Sequence, residues 1–247
     1  MGATLYRIVY RKELYLMQQP KFILTDIEGT TTPKTFVFDV LFPYFLAHLD
    51  EVRIHQNVAD FSKCILDVKE TLKSENGRTS VSLEDVLETL KNWVETDRKH
   101  PALKTLQGLI WENGYRKGLL KGVLYEDVPT QLKKWSKEGI KLGVYSSGSV
   151  KAQKLLFGFS NFGNFCTLFH AYFDTGVGNK REVEAYDRIV QELVIDVGDI
   201  LFLSDIAEEL DAASQAGMQT IQLIRDETVS PAINHSQVKS FNEIIWK

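Results

Sequence analysis

Short apolar runs that end in polar or small residues, separated by helix-length patterns, set the strongest limit on what this chain can fold into. The runs are 22–25 (Phe-Ile-Leu-Thr), 140–145 (Ile-Lys-Leu-Gly-Val-Tyr), 171–173 (Ala-Tyr-Phe), 200–203 (Ile-Leu-Phe-Leu) and 220–224 (Thr-Ile-Gln-Leu-Ile). Helical patterns separate the later ones. One covers 150–157, and a second covers 182–193, with Ile189, Val190 and Leu193 on one side. A third covers 207–216, where Gly217 supplies a left-handed stop. Strands alternating with helices need crossover connections, and these give a parallel sheet buried on both faces. Ligands of such sheets bind outside the carboxyl ends of the strands. Four of the runs lead toward residues suited to phosphate chemistry.

The stretch from Val37 to Gly122 has a different character, with helical patterns and no convincing strand. Ser82 reads as an N-cap with Asp85 three residues on, and Leu83, Val86, Leu87, Leu90, Trp93 and Val94 then form one helical stripe. A second stripe, Leu103, Leu106 and Ile110, starts just after Pro101. The polar patch 73–80 reads as a loop. The plan expected is therefore an N-terminal arm (1–20), a core (21–36 and 123–247) and an all-helical cap (37–122) inserted after the first strand. A chain of 247 residues can bury such a core with a smaller second unit.

A net charge of -4 gives no electrostatic case for a nucleic-acid or membrane partner. No apolar stretch approaches the roughly 20 residues that cross a bilayer. Arg7, Arg11, Lys12 and Glu13 interrupt what would be the apolar centre of a signal peptide, and Tyr6 stands where a myristoylation signal has Ser or Thr. Met17 stands as an alternative start, because the ordered pattern begins at Lys21. Cys64 and Cys166 suit neither a disulfide framework nor a zinc site, so both are expected as small buried hydrophobes in a reducing compartment. The expected location is cytoplasmic, with the nucleus open for a eukaryotic source. A monomer is expected, since nothing suggests a large exposed apolar interface.

The chemistry concentrates in four segments. Asp26-Ile27-Glu28-Gly29-Thr30-Thr31-Thr32-Pro33 sets two carboxylates directly after a strand, where they must be paired or bound to metal. Gly29 allows a sharp turn, and Thr30 can cap or donate to a phosphate oxygen. In isolation this segment is equally a polar turn. Ser146-Ser147-Gly148-Ser149 follows a strand and opens a helix, which describes an anion site and also an ordinary helix cap. Lys180, in a glycine-bearing loop ahead of a helix, can neutralise phosphate as a point charge, or can simply be solvated. Asp205 ends a hydrophobic strand and is followed by Glu208 and Glu209. Magnesium takes hard oxygen ligands and keeps waters, so one or two carboxylates plus a substrate phosphate suffice to hold it.

All four segments fall where a parallel sheet would converge them, in the order nucleophile, hydroxyl, lysine, carboxylate. That order resembles the four motifs of the haloacid dehalogenase superfamily from Lys21 to the end of the chain. Glu28, where the superfamily's phosphatases typically carry aspartate, makes the first motif similar to that of the enolase-phosphatases. Three further segments resemble that family: Leu41-Phe42-Pro43-Tyr44, Leu103-Lys104-Thr105-Leu106-Gln107-Gly108, and the long run from Tyr145 to Gly158. The Leu-Ser-Asp form of the fourth motif and the arm before Lys21 depart from the pattern without touching the chemistry.

The resemblance implies an α/β fold, a Rossmann-like parallel sheet with an inserted helical cap. It also implies a phosphohydrolase that enolises and then dephosphorylates 2,3-diketo-5-methylthiopentyl-1-phosphate in methionine salvage. Asp26 is then the nucleophile and a magnesium ligand, and Glu28 the acid–base group, with its carbonyl completing the metal shell. Ser146 and the Ser147 amide hold the phosphoryl group, Lys180 neutralises it together with Asp26, and Asp205 anchors one magnesium ion. Lys104, Gln107 and Trp111 on the cap are candidates to meet the methylthio end, with core packing the plainer role for Trp111. The alternatives are a general small-metabolite phosphatase of the same superfamily, a catalytically dead phosphate-binding protein and a dehalogenase. Glu28 and the long serine-rich segment argue against the first. The intact Asp26, Lys180 and Asp205 argue against the second, and dehalogenation has no use for Asp205.

Overall fold

The computed structural model describes residues 18–246; the arm expected at 1–20 and the Met17 start lie, up to residue 17, outside the described residues. From β1 (Phe22–Thr25) the chain enters a π-helical segment (Phe36–Leu41). It continues through α1 (Phe42–Ala47), α2 (Asp50–Ile54), α3 (Ala59–Asn76), α4 (Leu83–Glu95) and α5 (Pro101–Arg116). Helices and strands then alternate: α6 (Asp127–Lys137), β2 (Lys141–Tyr145), α7 (Val150–Gly158), β3 (Phe169–Phe173), α8 (Val183–Leu193), β4 (Ile200–Ser204), α9 (Ala207–Gln215), β5 (Gln219–Leu223) and β6 (Ser236–Val238). The strands form one six-stranded parallel sheet in the order β3–β2–β1–β4–β5–β6. The order reverses at β1, which pairs with β2 on one side and β4 on the other, so a crevice forms at its carboxyl end.

All four residues of β1 are buried, as a strand covered on both faces requires. Their alternation divides them between two cores. Ile23 joins Leu142, Val144, Leu132 and Trp135 in a core that runs on without a break into the helices between β1 and β2. Phe22 and Leu24 join Tyr145, Tyr186, Ile189, Phe202 and Leu210 under α8 and α9. In α4 the expected stripe is buried through Val86, Leu87, Leu90, Trp93 and Val94. Ser82 and Asp85 close a capping box at its start, a device of about 1 kcal/mol.

Some expectations need correction. The patch 73–80 is helical through Asn76, because α3 continues until Gly77 turns left-handed at φ +64°. Cys166 is half-exposed and donates its thiol hydrogen to the Lys154 carbonyl at 3.2 Å, whereas Cys64 is buried; both are free thiols. β6 lies outside the expected strands. Its sequence, Ser-Gln-Val, has no apolar run, and its strand geometry comes from pairing with β5.

Candidate active site

The site is built on extensions of the sheet ladder. The Asp26 amide donates to the Leu203 carbonyl at 2.8 Å and the Ser146 amide to the Phe173 carbonyl at 3.2 Å, which fixes both residues just past their strands. The loop after Asp26 then folds on itself. The amides of Thr30, Thr31 and Thr32 all point at the Ile27 carbonyl, at 3.2, 3.0 and 2.9 Å. Gly29 makes the turn at φ +76°, and a Cβ there would come within 2.5 Å of Asp205 Oδ2. Only glycine combines that backbone conformation with so close an approach.

Lys180 is the electrostatic centre. Its buried ammonium donates to Asp26 Oδ1 and lies 2.7 Å from Glu209 Oε2. Burial would lower the lysine pKa, but Asp26 and Glu209 outweigh it and raise the value, so the amine stays a cation. The loop carrying it is held by two tyrosines: Tyr186 donates its hydroxyl to the Lys180 carbonyl at 2.7 Å, and Tyr145 donates to the Gly178 carbonyl at 3.1 Å. Glu209 also accepts from the Ser204 hydroxyl at 3.0 Å. Its own pKa is pushed up to about 7 by burial and by Asp26, against the pull of Lys180.

Glu28 points the other way. Its Oε2 accepts the Ser146 hydroxyl at 3.2 Å. Burial, and then the charge of Asp26, raises the Glu28 pKa, the shift expected of a carboxyl that gives and takes a proton near neutrality. Ser146 Oγ in turn accepts the Gly148 amide at 3.1 Å, and Ser149 caps α7 through the Ala152 amide.

The Asp205 side chain is fully buried, and its Oδ1 accepts no hydrogen bond. Lys34 meets Oδ2 at 2.5 Å. Burial and Asp26 raise the Asp205 pKa while Lys34 opposes the rise. Among the described residues no three His, Cys, Asp or Glu side chains converge into a metal cage. A magnesium ion needs no such cage, and a buried carboxylate with an unpartnered oxygen, close enough to Asp26 to feel its charge, fits a hard divalent cation. The Glu28 carboxyl faces Ser146, which leaves its main-chain carbonyl as the group that could join a metal shell. Thr30 Oγ1 is likewise buried without a partner.

A cleft with a cavity volume of about 70 Å³ opens between the cap helices and the sheet. Glu28, Ser146 and Ser147 line its sheet side; Val37, Leu41, Phe42, Trp93, Leu103 and Trp111 make its apolar wall. Asp26, Lys180 and Asp205 do not line the cleft and are nearly excluded from solvent. Gln107, Lys104 and Trp111 all reach it, and Trp111 is at once core and wall, donating its indole hydrogen to the Leu41 carbonyl at 2.9 Å. Two contacts tie the walls together: Lys104 donates to Thr175 Oγ1 at 2.8 Å, and Lys151 lies 2.5 Å from Glu112.

Sequence reasoning did not assign roles to Glu209, Lys34, Arg225 or Asp127. Glu209 had a signal, since it shares a helical face with the buried Ala212 and Ala213 of α9. Arg225 follows β5 at the same end of the sheet as the other site residues. It donates from Nε and Nη2 to the Thr30 carbonyl at 3.0 and 2.9 Å and meets both oxygens of Asp127 at 2.9 Å. Lys34 had no signal in the sequence.

The sequence profile of the haloacid dehalogenase-like hydrolases matches residues 20–217. The chain is 48% identical over 227 residues to Enolase-phosphatase E1 of Sulfurihydrogenibium sp. (strain YO3AOP1), covering 91% of this chain and 97% of that protein. It is 50% identical over 222 residues to Enolase-phosphatase E1 of Klebsiella pneumoniae (strain 342), covering 90% and 95%. Among solved structures, the UTR4 protein of Saccharomyces cerevisiae matches with a TM-score of 0.73 at 30% identity, over 92% of this chain and all of that one. CbbY from Rhodobacter sphaeroides in complex with phosphate matches with a TM-score of 0.55 at 15% identity, over 90% of this chain and 95% of that one, which speaks to the fold alone.

Proposed function

This chain belongs to the enolase-phosphatases of the haloacid dehalogenase-like hydrolases, and from that membership we propose that it converts 2,3-diketo-5-methylthiopentyl-1-phosphate to the acireductone 1,2-dihydroxy-3-keto-5-methylthiopentene and phosphate, by enolisation and then hydrolysis. The observation that carries this reading is the pairing at the sheet end: the buried carboxylate of Asp26 bonded to Lys180, with the raised-pKa carboxyl of Glu28 bonded to Ser146 beside it.

In the phosphatase half, an Asp26 carboxylate oxygen attacks phosphorus and the bond to the C1 oxygen breaks. Glu28 protonates the departing oxygen. Water then attacks the aspartyl-phosphate, Glu28 takes its proton, and the Asp26–phosphorus bond breaks to release phosphate. Such acid–base help is worth about 10²–10⁴-fold. Ser146 and the Ser147 amide hold the phosphoryl oxygens while Lys180 offsets their charge, the positioning and neutralisation this reaction needs most. Asp26, Asp205 and the Glu28 carbonyl would hold one magnesium ion, which when bound supplies Lewis-acid chemistry toward the ketone oxygens and further charge neutralisation. The apolar wall of the cleft, with Trp93, Leu103 and Trp111, suits a methylthio chain. The helical cap covers the site against water, and the enzyme works as a cytoplasmic monomer on a small phosphorylated molecule, without nucleic acid or membrane.

The test supplies the diketo-phosphate and follows enol absorbance and phosphate together. Enol formation followed by stoichiometric phosphate is expected. Hydrolysis of simple phosphate esters with this substrate untouched would favour a general small-metabolite phosphatase.

A further inference from the structure

Lys34 has no part in the mechanism above, yet it is the cation that meets Asp205. Its Nζ lies 2.5 Å from Asp205 Oδ2; the lysine side chain is 37% exposed, while that of the aspartate is fully buried. The contact is a short ion pair on Oδ2, while Oδ1 has no partner. Gly29 leaves the room for it: a Cβ there would lie 2.7 Å from Lys34 Cε.

We propose that Lys34 is an internal counter-ion that neutralises Asp205 in the metal-free enzyme and gives up that carboxylate to magnesium, thereby setting the affinity for the metal. The proposal rests on Asp205 being the metal anchor. A buried carboxylate without a cation is costly, so the metal-free protein gains from keeping a positive charge at this position. Lysine suits a temporary place there, as a compact charge on a flexible stem rooted in solvent. Lys180 could not do the same, because its side chain is only 8% exposed and is shared between Asp26 and Glu209. An ion pair made only in the metal-free state stabilises that state and weakens apparent metal binding by the same factor.

Calorimetric titration of the protein with magnesium chloride alone, and melting with and without saturating magnesium, separate this role from a structural one. Lys34→Met is expected to bind magnesium roughly tenfold more tightly. It is also expected to melt at a lower temperature without metal and unchanged with it. Unchanged or weakened magnesium binding would overturn the proposal, and so would an equal loss of melting temperature in both states. Asp205→Asn distinguishes the two layers of the argument. If it abolishes magnesium binding while Lys34→Met changes nothing, only the counter-ion role falls. If Asp205→Asn binds magnesium as the wild type does, the assignment of Asp205 as anchor falls and the counter-ion role with it.

Discussion

Lys180 stands 2.7 Å from Glu209 while it also donates to Asp26, so a single buried ammonium answers two buried carboxylates. Removing it leaves the Asp26 carboxylate without its cation in a region of low dielectric and drives Glu209 further toward its protonated form. Breaking a buried pair in this way typically costs about 3–5 kcal/mol. Lys180→Met should therefore unfold at clearly lower urea concentration at neutral pH, with turnover lost. Unchanged stability would mean that water or rearrangement neutralises the pair.

Glu209 gives the site a pH dependence whose sign can be worked out. Its folded-state pKa of about 7 lies above the ordinary 4.5, so between those values the native protein holds a proton that the unfolded chain has released. Stability from this group is fully present below pH 4.5 and falls as pH rises through 7. Denaturation of the metal-free protein across that range should show a downward slope that is smaller in Glu209→Gln. An identical slope in the two proteins would assign it to other groups.

Arg225 joins the loop after Asp26 to α6. Its side chain is 4% exposed, and Asp127 also accepts the Ser240 hydroxyl and the Phe241 amide at 3.0 and 2.6 Å. Asp127→Ala strands a buried guanidinium and two donors. A loss of about 3–5 kcal/mol is expected from urea unfolding. A loss under about 1 kcal/mol, typical of an exposed pair, would refute the tether.

The parts of this molecule that could be read in advance are those whose cause is local. The Phe-Ile-Leu-Thr run is a doubly covered strand because every one of its side chains is apolar or small, and the carboxylate after it must then stand at the end of the sheet. The box of Ser82 and Asp85 is likewise written within four residues. Lys34, Glu209 and Arg225 act through partners that are distant in sequence, and only the side-by-side packing of the parallel strands brings them together. The three residues of β6 become a strand through the neighbour they pair with. Cys166 reads in the sequence as a buried hydrophobe, yet its place depends on how α7 meets the turn before β3.

The covalent role proposed for Asp26 underlies the whole mechanism, and rapid acid quenching during turnover of the diketo-phosphate with magnesium, followed by mass mapping of the peptides, tests it most directly. A phosphoryl adduct on Asp26 is expected, appearing before free phosphate. In Asp26→Asn no adduct should form and turnover should drop by at least about a thousandfold. An adduct on another residue, or an Asp26→Asn protein that releases phosphate at the wild-type rate, would contradict the assignment.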